Sequence, residues 1–107
     1  MYFYSITVTS KPTIKMLQNS KVIATIGDKW YELGIELLDD DQVTYLENIR
    51  ANHSEATRRC TAMFIYWLQS HTNATWHQLI QALKAPGVEL NNVATMVEAL
   101  FSGVFIK

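Results

Sequence analysis

Large apolar residues recur at helical spacing along most of this sequence, and polar or turn-forming clusters interrupt them at short intervals. Val22, Ile26, Trp30, Leu33 and Leu37 follow at spacings of 4, 4, 3 and 4, which is one face of an amphipathic helix. After Asp39-Asp40-Asp41, the residues Val43, Leu46 and Ile49 make a short second helix, and Ala51-Asn52-His53-Ser54 ends it. Glu55 to Ser70 forms a longer helix with Cys60, Met63, Phe64, Trp67 and Leu68 on one face. Thr75-Trp76-His77-Gln78 matches a capping box, in which the threonine hydroxyl accepts from the Gln78 amide and the glutamine reaches back. Behind it Trp76, Leu79, Ile80 and Leu83 repeat at i, i+3, i+4 and i+7 until Pro86-Gly87. Asn91 or Asn92 opens a last helix with Val93, Val97, Leu100 and Phe101 facing inward. A short helix capped by Thr9 or Ser10, with Pro12 in its first turn, precedes the others. Five or six short helices with one apolar stripe each pack as an all-α globular bundle.

Two features stand apart from that pattern. Residues 2–9 alternate aromatic and β-branched side chains and favour an extended segment, either a tail lying on the bundle or the end of an upstream domain. Gly34 lies inside a helical stripe, where glycine costs about 1 kcal/mol relative to alanine, so another backbone is expected close to it. The chain has 107 residues, 49% of them apolar, which suits one domain with a real core. No stretch approaches the roughly 18 apolar residues of a membrane span, and the start has no secretory pattern. Cys60 is the single cysteine, which fits a reducing compartment and an expected cytoplasmic location.

The formal charge of −1 conceals a division along the chain. Residues 1–27 hold three lysines and no acid, whereas 28–47 hold seven acids against Lys29 alone. Residues 48–84 turn basic again, with Arg50, Arg58, Arg59 and Lys84 against Glu55. Zones of opposite sign on one small domain steer association head to tail.

Catalytic and metal chemistry finds no support in the residues. His53, His71 and His77 lack the i, i+4 spacing of a zinc helix and have one cysteine to join them. Asp39-Asp40-Asp41 lacks the alternation, the glycine and the final glutamate of a calcium loop, and acids at a helix entry complement its dipole. Cys60 falls on an apolar stripe, and no glycine-rich phosphate loop exists. A small helical nucleic-acid-binding domain using Arg50, Arg58 and Arg59 is the competing reading. It lacks the basic excess that phosphates require, and the 28–47 surface would repel DNA.

Several motifs together point to a family. Lys29-Trp30-x-x-Leu33-Gly34-x-x-Leu37 followed by an acidic second helix resembles the start of a death domain. Phe64-Ile65-Tyr66-Trp67, then Asn73-Ala74-Thr75-x-x-x-Leu79-Ile80-x-Ala82-Leu83, then Asn91-x-Val93-Ala94, is similar to that family's later helices, above all in its adaptors. The likeness covers residues 20–101. It divides the chain into an extended segment over 1–10, a death domain over 11–103 and a tail over 104–107.

The resemblance implies a six-helix antiparallel Greek-key bundle that binds other death domains in intracellular signalling. It implies no catalysis, no cofactor, no metal, no small-molecule substrate, no nucleic acid and no membrane. The partners it implies are copies of itself or an adaptor or receptor, joined in a homo-oligomer or helical assembly through paired unlike patches. By position, one patch is Asp39, Asp40, Asp41 and Glu47, and its complement lies on the first and fourth helices, where Arg58 and Arg59 sit. A second pair joins Gln69 and His71 to Lys84, Gly87 and Glu89. A third lies on a very short third helix, around Arg50, Asn52 and His53. Trp30, Trp67 and Trp76 are expected in the core.

Overall fold

Thr13, rather than Thr9 or Ser10, starts the first helix, because its Oγ1 accepts from the Met16 amide at 3.2 Å. In the computed structural model, which describes residues 9–106, α1 then runs Ile14–Asn19 and α2 Val22–Ile26. The expected extended run over 2–9 lies outside the described residues except for Thr9, which is in a turn.

The single helix expected over 22–37 is broken. Gly27 takes φ 55 and ψ −127, a conformation open to glycine, and a 3₁₀ turn Gly27–Lys29 follows before α3, Trp30–Leu37. The apolar spacing survives the break because the turn returns Trp30 to the face that Ile26 occupies, and both are buried. The acidic run forms a second 3₁₀ turn, Asp40–Gln42, which leads into α4, Tyr45–Asn52. No helix forms between Ala51 and Ala56: His53–Glu55 connect α4 directly to α5, Ala56–Ser70. The Gly27 break adds a helix upstream instead, and Arg50 and Asn52 lie on α4 rather than on a separate short helix.

Thr75 caps α6, Trp76–Lys84, through the expected capping box, with the Gln78 amide donating to Thr75 Oγ1 at 3.1 Å. Helix α7 runs Asn91–Ile106, so the backbone of 104–106 continues the last helix. With α1 and α2 as two limbs of one helix, the result is a six-helix, all-α, antiparallel Greek-key bundle. Helix α5 is its centre, packing against α1, α2, α3 and α4, while α6 and α7 form a hairpin beside α3.

Trp67, Trp76, Phe64, Leu33, Leu46 and Leu79 are each at most 1% exposed, and no polar side chain is buried among the described residues. Trp30 is 3% exposed, so all three tryptophans lie in the core as expected. Burying apolar area at about 25 cal/mol per Å² is the main term holding such a bundle together.

Candidate protein-interaction surface

The corner between α3 and α4 exposes Asp39, Asp40 and Asp41 together. The Asp39 amide donates to Gln42 Oε1 at 3.0 Å, and the Gln42 amide returns a bond to the Asp39 carbonyl at 2.8 Å. His71, the residue after α5, brings its Nε2 within 2.7 Å of the same Gln42 Oε1 and 3.8 Å of Asp39 Oδ2. An amide oxygen only accepts, so the imidazole carries a proton on Nε2. The structure therefore joins His71 to the acidic turn, although the sequence placed it in a separate patch with Gln69.

Glu47 does not add its charge freely to that turn. Arg50 Nη1 lies 3.2 Å from Glu47 Oε1, and the Tyr31 hydroxyl donates to Glu47 Oε2 at 2.7 Å. The Arg50 guanidinium also sits 4.4 Å above the Tyr31 ring. The bond to Glu47 is the first reason that the Tyr31 hydroxyl holds its proton above the ordinary range. Two residues assigned to different patches thus form one local, charge-balanced cluster on α3 and α4.

Arg58 and Arg59 part company as well. Successive helix residues differ in direction by about 100°, and Arg59 turns back onto the end of α4. Its Nε donates to the His53 carbonyl at 2.6 Å and its Nη2 to the Arg50 carbonyl at 3.2 Å. These carbonyls belong to a helix terminus that needs donors. Replacing Arg59 by methionine is expected to cost about 1.5–3 kcal/mol in urea unfolding, as for bonds made by a charged group. Arg58→Met is expected to stay within about 0.5 kcal/mol of the parent. Equal effects of the two substitutions would refute the capping role. The Arg58 side chain is 73% exposed, and its Nε lies 3.4 Å from Glu55 Oε1.

Asn52 is exposed at the end of α4, and His53 is half-buried beside it. Lys84 is paired with Glu98 at 3.0 Å across the α6–α7 hairpin. Gly87 and Glu89 are exposed in the connection between those helices, where Glu89 adopts φ 53. Gln69 borders a groove of about 520 Å³ that also exposes Arg58, Tyr45, Ile65 and Tyr66. The Tyr45 and Tyr66 rings stack at 4.1 Å and 22°. Neither Tyr45 nor Glu98 stands out in the sequence, and Tyr66 enters there only within the Phe64–Trp67 motif. The i, i+4 spacing of Thr61 with Ile65 and of Ala62 with Tyr66 marks a half-apolar second face of α5, but not its aromatic neighbour on α4.

Among the described residues, no group of three or more histidines, cysteines and acids is arranged to hold a metal ion. Burial pushes the Cys60 thiol up to about 12, which leaves it protonated and unsuited to nucleophilic chemistry. No described helix is long and apolar enough to cross a membrane.

The surface is therefore one of exposed charges and an aromatic-lined groove on a helical frame. A family model described as Death domain matches residues 15–100. The chain belongs to the death-domain family. No similar curated protein and no similar solved structure was found. Death domains are non-enzymatic protein–protein interaction modules that bind other death-fold domains. In this death domain the three aspartates of the acidic corner are exposed, and so is Arg58 on α5. Lys15 and Lys21 are exposed around α1, which packs on α5, the helix that carries Arg58.

Proposed function

We propose that this death domain assembles homotypically, with itself or with an adaptor or receptor, in cytoplasmic signalling. The observation that carries the reading is an exposed acidic turn, Asp39–Asp41, together with the exposed cations Lys15, Lys21 and Arg58 on other elements. Unlike patches that meet in this way repeat head to tail and grow into open helical assemblies. Arg59 is not among the available cations because it caps α4, and Glu47 contributes little because Arg50 balances it. The nucleic-acid reading loses the same two arginines, Arg50 and Arg59, to internal contacts.

Sedimentation of the wild type, Asp40→Lys and Arg58→Glu at low and high salt tests the proposal. Each reversal is expected to weaken association at least about tenfold, and raising the salt concentration is expected to weaken the wild type in the same way. Mixing the two variants is expected to restore assembly. Assemblies that neither reversal nor salt reduces would overturn the electrostatic account.

A further inference from the structure

Ile35, Tyr45 and Ile65 are the large apolar side chains left exposed among the described residues, at 44%, 39% and 39%. Two of the three, Tyr45 and Ile65, meet in the groove of about 520 Å³ that α1, the start of α4 and α5 enclose. Tyr66 is stacked on Tyr45 there, and Ala62 extends the apolar lining. A mainly apolar cleft edged by a few polar groups, within about 300–1,000 Å³, is the form that binding sites take. Arg58 is the one lysine, arginine or carboxylate in the lining, so apolar fit more than charge decides what the groove accepts.

The chain carries a segment of matching chemistry. Residues 1–8 lie outside the described residues, and in their sequence Tyr2, Tyr4, Ile6 and Val8 alternate with Phe3, Ser5 and Thr7. Alternate residues of an extended run share one face, so that face is wholly apolar, and the run holds no charged side chain. Among the described residues every regular element is a helix, so no strand there offers the run an edge to pair with. Backbone amides and carbonyls need partners elsewhere. Gln18 and Gln69, which line the groove, each bring a donor and an acceptor.

The point where the run joins the bundle puts the groove within reach. The Trp76 amide holds the Ser10 carbonyl at 3.0 Å, and α1 then leads the chain to Gln18 at the groove. Extended residues up to Thr13 and helical ones beyond it keep Ser10 within about 18 Å of Gln18. Extended backbone from Tyr2 to Ser10 spans about 26–29 Å, and from Tyr4 about 20–22 Å.

We infer that residues 2–8 of this chain seat in the groove, with Tyr2 and Tyr4 against Tyr45, Ile65 and Tyr66. The sequence leaves two readings of this run, a tail on the bundle or the end of an upstream domain, and the groove gives the tail its place. A short tether presents the segment at an effective concentration of about millimolar, so a contact too weak for a separate peptide still holds within one chain. The inference is independent of the assembly proposed above.

Ser5→Cys, opposite Tyr4 in the alternation, carries a nitroxide spin label on the full chain, and Cys60, 0% exposed, stays unlabelled. In NMR spectra of a dilute sample, the strongest paramagnetic broadening is expected at the amides of Tyr45, Ile65 and Tyr66. Tyr2→Gly with Tyr4→Gly is expected to remove that broadening without touching the bundle. Ile65→Lys is expected to remove it as well, whereas Ile35→Lys, at the exposed site on α3, leaves it in place. Broadening centred elsewhere, or at the groove but insensitive to both the glycine pair and Ile65→Lys, would overturn the inference. A mixture of spin-labelled chain with isotope-labelled, label-free chain is expected to show no broadening at the groove. Broadening as strong in that mixture as within one chain would give the groove to a second copy and overturn the intramolecular seat.

Discussion

Replacing Trp76 by alanine is expected to lower the thermal midpoint of this death domain by about 15–25 °C. Such a truncation in a packed core costs about 3–5 kcal/mol, and each kcal/mol shifts a domain of this size by several degrees. Trp76 is 1% exposed, and its ring meets Phe101 edge-on at 5.7 Å and 77°. Its backbone amide donates to the Ser10 carbonyl at 3.0 Å, so the residue links the start of the described chain, α6 and α7. The loss is a large share of the roughly 5–15 kcal/mol that holds a domain folded. Ile35→Ala is the control, because Ile35 is 44% exposed on α3 and a surface truncation stays within about 0.5 kcal/mol. Calorimetry showing equal shifts for the two variants would contradict the packing described here.

Most of the frame is legible in the sequence because a 3.6-residue period is a local property. The stripes on α5, α6 and α7 fall where Trp67, Leu79 and Val97 are buried, and the Thr75 capping box forms as written. The break at Gly27 is harder to see, because Ile26 and Trp30 keep their helical spacing across it. One apolar stripe over 22–37 thus spans two helices, and this moves Arg50 and Asn52 onto α4 rather than a very short helix of their own.

The surface is less legible, for a different reason. Arg58 and Arg59 are equivalent in sequence, and only the position of the α4 carbonyls separates them. His71 and Gln42 lie 29 residues apart and meet only when α5 is docked on the acidic turn. Charges recognised in sequence therefore overstate the free patch. Glu47, Arg50, Arg59 and Lys84 all have intramolecular partners, whereas Asp39, Asp40 and Asp41 are exposed and Arg58, 73% exposed, meets only the equally open Glu55.

Gly34→Val is expected to destabilise the domain by about 3 kcal/mol or more, at or above the usual upper end for overpacking. A Cβ on Gly34 would stand 2.8 Å from Leu46 Cδ2, 3.2 Å from Leu46 Cδ1 and 3.2 Å from Met63 Cγ. Those neighbours belong to α4 and α5, and both residues are 0% exposed, so neither side chain can swing out into solvent. Helix propensity favours alanine over glycine here by about 1 kcal/mol. The contact at 2.8 Å opposes that gain, and Gly34→Ala is expected to be destabilising overall by about 1 kcal/mol. Valine adds two methyl groups to the same gap and loses part of the propensity gain through its branched Cβ. The discriminating measurement is a double-mutant cycle of Gly34→Ala with Leu46→Ala in urea unfolding. Removing the Leu46 methyls opens the space that the new Cβ needs, so the pair should be milder than the sum by about 0.5–3 kcal/mol. Strict additivity, with Gly34→Ala stabilising by its full propensity, would mean that α3 and α4 do not approach as closely as the glycine implies.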